Sequence, residues 1–77
     1  MTWNHRVIKH EKDGEVWYTF HEVFYDDDGS IKGWTENAIA PLSETRDGLY
    51  WVLDKMREAV AKPVLKEDGE KAVEIVE

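Results

Sequence analysis

One stretch of this chain reads as a helix, and the strands that precede it are apolar and aromatic on both of their faces. A single helix of that length covers one face of a three-stranded sheet. The other face must then meet a second copy, a partner, the chain's own tail or water. This mismatch constrains the fold more than any motif does, and it directs attention to association before chemistry.

The helix follows from spacing. Leu49, Val52, Leu53, Met56, Ala59 and Val60 recur at three- and four-residue intervals, the period of an amphipathic helix. Thr45 or Ser43 can cap its N-terminus, and Asp47 suits the positive end of the helix dipole. Pro63 stops it, with Lys62 in the last turn. Gly48 weakens the first turn by ~1 kcal/mol relative to Ala.

Three strands come first. Residues 3 to about 10 are rich in β-formers, and Asp13-Gly14 is a strong hairpin signal. Residues 15–25 form a long strand, Asp26-Asp27-Asp28-Gly29-Ser30 a second turn, and residues 31–39 a third strand closed by Pro41. The expected fold is therefore α+β: a three-stranded antiparallel meander followed by one packed α-helix (β-β-β-α), with a variable C-terminal tail. Residues 1–65 make this single domain, and 66–77 are an acidic tail or a small added strand, which Asp68-Gly69 could turn as a hairpin.

Register assigns the faces. The first turn sets Val7 opposite Phe20, His5 opposite Glu22 and Trp3 opposite Phe24. The second sets Phe24 opposite Gly33, Val23 opposite Trp34 and His21 opposite Glu36. Alternation then places Trp3, Val7, Tyr18, Phe20, Phe24, Ile31 and Ile39 on one face. Ile8, Trp17, Val23, Tyr25, Trp34 and Ala38 fall on the other. The helix is expected on the first face. The second is then a binding surface anchored by Trp17, Val23 and Trp34, unless the tail covers it.

Size and charge narrow the partner. A 77-residue chain buries only ~60% of its unfolded surface, and a lone core of this size seldom supplies more than ~3–5 kcal/mol. There is no cysteine, so disulfides and thiolate zinc sites are excluded; a reducing compartment suits this composition. Association is the remedy left, and a homodimer is one form of it. Ten Lys and Arg stand against 17 Asp and Glu, a net charge of −7. That repels nucleic acid phosphates and attracts a basic protein surface. The imbalance is spread along the chain, with four basic and eight acidic residues in 1–40 and six and nine in 41–77. The first residues lack the apolar centre of a signal peptide, and no run approaches the ~18 residues of a membrane span. A cytoplasmic location is expected.

The words Trp3-Asn4 with Arg6-Val7-Ile8, His21-Glu22-Val23 with Tyr25-Asp26, Trp34-Thr35-Glu36, Pro41 and Lys62-Pro63-Val64-Leu65 run through most of the chain. In this pattern it resembles a set of short, uncharacterised bacterial proteins. The resemblance implies a shared fold and a bacterial or phage origin, and no chemistry. The tail after Leu65 looks longer than is usual in that set, and the pair Tyr50-Trp51 is unusual at its position.

Among chemistry-bearing groups, Arg6, His21 and Glu36 fall in one row across the strands. No Ser, Thr or Cys nucleophile shares it, so a pH-sensitive salt-bridge row is favoured over a catalytic relay. His5 opens onto one face and His10 and His21 onto the other, the latter two four residues apart along the strands, roughly 13 Å by strand rise. No metal site is expected from them. Asp26, Asp27 and Asp28 lack the alternate spacing of a calcium loop and read as an acidic hairpin tip. Trp51 lies opposite the apolar stripe, beside Asp54, Lys55 and Glu58. There it could contact a partner, be covered by Val73 and Ile75, or carry a stacked Lys55 or Lys62.

These readings converge on a non-catalytic, acidic protein-binding module without a cofactor. One concrete form is an inhibitor that occupies a basic surface, with charge from Asp26, Asp27 and Asp28 and anchors from Trp17, Trp34 and Trp51. Phage anti-defence proteins, anti-CRISPRs among them, are an analogy at the level of class. A homodimeric bacterial housekeeping protein and a small-molecule or enzyme module are the alternatives.

Overall fold

Asp13 and Gly14 take positive φ angles of 52° and 84°, as a two-residue hairpin turn of the primed type requires. They join β1 (Thr2–Lys12) to β2 (Glu15–Tyr25). The two strands pair along their whole length in the expected register, Val7 opposite Phe20 and His5 opposite Glu22. This computed structural model describes residues Thr2–Glu77.

The second turn is built differently. Gly29 donates its N–H to Asp26 O and Asp26 donates to Ser30 O, both at 2.9 Å, and Gly29 takes φ 86°. This is a bulged turn with glycine in the left-handed position. β3 (Ile31–Trp34) pairs Val23 with Trp34 and Phe24 with Gly33 as expected, but a shift between Phe24 and Tyr25 sets Tyr25 opposite Ile31. The bulge turns Ile31 from the helix side to the opposite side, where it packs with Ile8 and Val23. β3 is also shorter than the expected 31–39 and ends at Trp34. Beyond it isolated backbone bonds tie the segment to β2, Thr35 N to Glu22 O and Ile39 N to Phe20 O.

Thr45 caps α1 (Arg46–Ala61), accepting from Gly48 N at 3.0 Å. A methyl group at Gly48 would overlap Ser43 Oγ, so the glycine makes room for the capping side chains. α1 lies on the expected face, chiefly over β1, and buries Met56 and Ala59. It does not bury the whole apolar stripe: Leu53 and Val60 remain exposed.

The expectation of a three-stranded meander with a tail is overturned by the residues after Pro63. β4 (Val64–Asp68) pairs in parallel with β1, Ile8 opposite Leu65, and β5 (Lys71–Ile75) pairs antiparallel with β4. The result is a five-stranded mixed sheet of order β3-β2-β1-β4-β5. Its edge strands β3 and β5 touch each other, so the sheet curls into a half-barrel. α1 is the crossover between the parallel strands β3 and β4, as parallel connections require. The concave side encloses Ile8, Val23, Leu65 and Ala72, flanked by Tyr25, Ile31 and Trp34.

Leu65 and Ile8 are fully buried, so Leu65→Ala should cost ~2–5 kcal/mol in urea denaturation. Leu42→Ala, at a side chain 83% exposed, should change stability by no more than ~0.5 kcal/mol. Equal effects would mean that β4 is not part of the cooperative core.

Candidate functional site

The concave face carries a polar cluster. The Tyr25 hydroxyl donates to Asn4 Oδ1 at 2.7 Å and accepts from Arg6 Nη1 at 3.0 Å. Arg6 Nη2 donates to Pro63 O at 2.8 Å and to Glu74 Oε1 at 3.4 Å. Arg6 is 5% exposed, yet its guanidinium ties β1, β2, the helix exit and β5 together. Its Nε has no partner among the described residues.

Beside this cluster runs a chain of imidazoles. His21 Nδ1 lies 2.9 Å from Thr35 O. A carbonyl only accepts, so Nδ1 carries the hydrogen and Nε2 of the neutral ring is an acceptor. Thr19 Oγ1, 2.8 Å away, donates to that Nε2 and accepts from His10 Nε2 at 2.7 Å. One set of protons thus runs from His10 through Thr19 to His21.

The row expected from sequence is only partly assembled. Arg6 and His21 are opposite one another and both buried. Glu36 is exposed, in the bend after β3, and makes no bond to His21. β3 ends before the strand could carry Glu36 into the row, and Thr35 takes its place. The roughly 13 Å separation expected for His10 and His21 from strand rise is also corrected: their ring centroids are 5.9 Å apart, because both lean over Thr19. Among the described residues no group of three or more His, Asp and Glu is gathered so as to hold a metal ion.

The expected interface residues scatter. Val23 is fully buried in the core and offers no surface. Trp34 is half-buried and donates from Nε1 to Glu67 Oε1 at 2.9 Å, which links β3 to β4. Trp17 is exposed and stacks on His10. It sits at the far end of β2 from the acidic turn, about 26 Å from Tyr25 by strand rise. Trp51 is 53% exposed, with Lys55 Nζ 5.6 Å from its ring centroid. Val73 and Ile75 lie in β5. Asp26, Asp27 and Asp28 are exposed at the turn. There the Ser30 hydroxyl and then its N–H hold the Asp28 carboxyl below its ordinary value.

Two clefts flank α1, one running from Trp51 to its C-cap and one beside its N-terminal half. One, of about 180 Å³, is lined by Trp3, Asn4 and His5 of β1, by Trp51, Lys55 and Glu58 of α1 and by its C-cap Lys62. The other, of about 250 Å³, lies between Trp3, Trp51, Val52, Met56 and the 39–42 segment. His5 borders both and is 8% exposed; its Nδ1 has no hydrogen-bond partner among the described residues. The sequence alone assigned no role to His5, Thr19 or Glu74. Alternation could have found Thr19, which lies on the same face as His10 and His21. Glu74 required knowledge of β5.

Near the other end of α1, Glu77 Oε2 accepts from Lys9 Nζ at 2.9 Å and from Tyr18 Oη at 3.0 Å. Lys9 and then Tyr18 hold the Glu77 carboxyl below its ordinary value, while Glu77 raises both of theirs.

No family model, curated protein or solved structure matches this chain. No helix is long and apolar enough to cross a membrane.

Thr19→Val removes the hydroxyl between two imidazoles at nearly unchanged volume. The loss should be ~1–3 kcal/mol, the cost of leaving a buried polar group unpaired, with the His10 and His21 ring signals shifting together in NMR spectra. The Glu77 contact has a pH signature of defined sign. A depressed carboxyl contributes above its unfolded value and loses that contribution as pH falls through the folded one. A raised lysine contributes below its unfolded value and loses it as pH rises through the folded one. The Lys9–Glu77 contact should therefore fade at both extremes when the two side chains are followed by NMR, and Glu77→Gln should abolish both dependences.

Proposed function

We propose that the chain is a non-catalytic protein-binding module that docks on a basic surface of another protein and occupies it as an inhibitor would. The observation that carries this reading is the company kept by two indoles. Trp3 and Trp51 are each about half exposed and line the same clefts beside α1. Trp3 stands opposite Phe24, at the end of the sheet where the Asp26–Asp28 turn leaves β2. Leu42 and Tyr50, 83% and 67% exposed, widen the apolar area. Exposed indoles are the residues most enriched among interaction hot spots, and the acidic turn and the net charge of −7 favour a basic partner.

This assigns the anchoring role to Trp3 and Trp51. Trp17 stands at the opposite end of β2, and Trp34 is engaged with Glu67. The imidazole chain gives no support to an enzyme. Its hydroxyl is already committed to two rings, and of the three side chains only His21 is buried, while His10 is covered by the Trp17 ring.

The test is capture from a lysate of the cells in which the chain occurs, with solution mass measured in parallel. The expected result is a monomer that retains one salt-sensitive partner. Trp51→Ala should weaken that complex by about 2 kcal/mol or more, as for a hot-spot residue. Changing Asp26, Asp27 and Asp28 to Asn should slow association and flatten the salt dependence. Capture indifferent to both changes would overturn the reading. So would a dimer that retains nothing, which is the outcome a self-associating protein would give.

A further inference from the structure

The margin of β1 opposite β2 is covered along only part of its length. β4 pairs with β1 at Ile8 and Lys9, and among the described residues no strand pairs with Thr2–Arg6 on that side. The bonds made by β2 fix the direction of the peptide groups there. Glu22 O and Phe20 O accept bonds from Thr35 and Ile39, so the even-numbered residues of β2 face away from β1. Peptide groups alternate along a strand, so the odd-numbered residues of β2 face β1. By register, Asn4 and Arg6 lie opposite Val23 and His21 and turn their N–H and C=O groups toward β2. Trp3 and His5 turn theirs toward the open margin.

That margin is one wall of the 180 Å³ cleft. Trp3 and His5 point to one face of the sheet and Asn4 to the other, and a cleft bordered by all three lies at the rim of the strand. The facing wall is one flank of α1 and its C-cap: Trp51, Lys55, Glu58 and Lys62, spaced by four, three and four residues. Its charge runs against that of the molecule, with two lysines and one glutamate in a chain of net charge −7. Lys55 is shared between Glu58 and the Trp51 ring, whereas Lys62 makes no ion pair among the described residues. His5 closes the inner end with an Nδ1 that lacks a partner.

We infer that this groove takes an extended acidic segment of another protein, which adds to β1 as a further strand in line with β4. Unpaired strand groups are a template for such addition, and folded proteins otherwise cover or blunt them. Main-chain bonds to Trp3 and His5 hold the segment irrespective of its sequence. Selection comes from its alternate side chains, which meet Trp51, Lys55 and Lys62 on the helix side. The inference rests on the proposed protein-binding role only in that the ligand is polypeptide. Its charge requirement is opposite to that of the acidic turn, which lets the two be tested apart.

The experiment is random-peptide display on the immobilised full chain, followed by titration of a synthesised winner into isotope-labelled protein. Enrichment of Asp or Glu at alternate positions is expected. Amide shifts should centre on Trp3–Val7 and the Trp51 indole N–H. Lys62→Glu should weaken binding about tenfold, one charge-assisted contact, with Lys62→Gln intermediate and the thermal melt unchanged. The Asn variants of Asp26, Asp27 and Asp28 should bind the peptide as tightly as wild type. Enrichment of basic sequences, no enrichment, or shifts away from β1 would overturn the groove. A concentration-dependent doubling of mass with the Trp3–Val7 amides protected would overturn it too, by assigning the margin to a second copy. If the groove fails while a salt-sensitive partner is still captured through the acidic turn, the protein-binding role stands without it.

Discussion

The pairing of Ile8 with Leu65 is the contact on which the rest of the fold depends. At Val7–Lys9, β1 is held from every direction: β2 on one side, β4 on the other, α1 above and the concave core beneath. Val7 turns toward the helix and Ile8 away from it, and both are buried. Without Leu65 and the hairpin it begins, the concave face would expose Ile8, Val23 and Trp34 to water. At ~1.5–3 kcal/mol for each large apolar side chain, that exposure would consume the margin available to a domain of this size. The parallel pairing places the hairpin where it is needed, and α1 is the crossover that makes the pairing possible.

The polar groups on the same face fix how the strands meet. A slip of one residue between β1 and β2 would carry Arg6 to the face covered by Met56 and Ala59, away from Tyr25, Pro63 and Glu74. It would also break the sequence of donors and acceptors from His10 through Thr19 to His21. Each buried group would then lose its partner at ~1–3 kcal/mol, whereas the apolar residues, similar on both faces, would discriminate less. The bulge at Phe24 and Tyr25 belongs to the same arrangement, since it brings Ile31 into the concave core and leaves Trp34 opposite Val23.

What could be read from sequence was whatever rests on neighbouring residues. Asp13-Gly14 sets the first register, Thr45 and Pro63 bound the helix, and the alternation of β1 and β2 chooses the face that α1 covers. Three features escaped because nonlocal contacts decide them. β4 carries mainly charged residues after Leu65, so it reads as a solvated tail until Ile8 is seen beside it. β3 ends at Trp34, where the chain bends away from the ladder, and with it falls the role expected of Glu36. His10 and His21 meet because both lean over Thr19, which strand rise along the backbone does not report. At the candidate site, the exposure of Trp51 and of the acidic turn was legible. The clefts that Trp51 shares with Trp3 were not, because they exist only once α1 lies along β1.

The sheet face that first suggested association is thus satisfied within the chain, and this changes the meaning of the surface that remains. An exposed aromatic surface on a marginal domain can be a stability device awaiting its second half. Here the core closes without one: the hairpin covers the concave side, and Glu67 and Glu74 fasten it to Trp34 and Arg6. The apolar surface left over lies instead on and beside α1, where Tyr50, Leu53 and Val60 are exposed and Trp3, Leu42 and Trp51 line one cleft. None of these side chains is needed to cover Ile8, Val23 or Leu65. Their exposure therefore has no origin in the packing of the core, and it is on this surface, rimmed by charge, that the proposed protein-binding role rests.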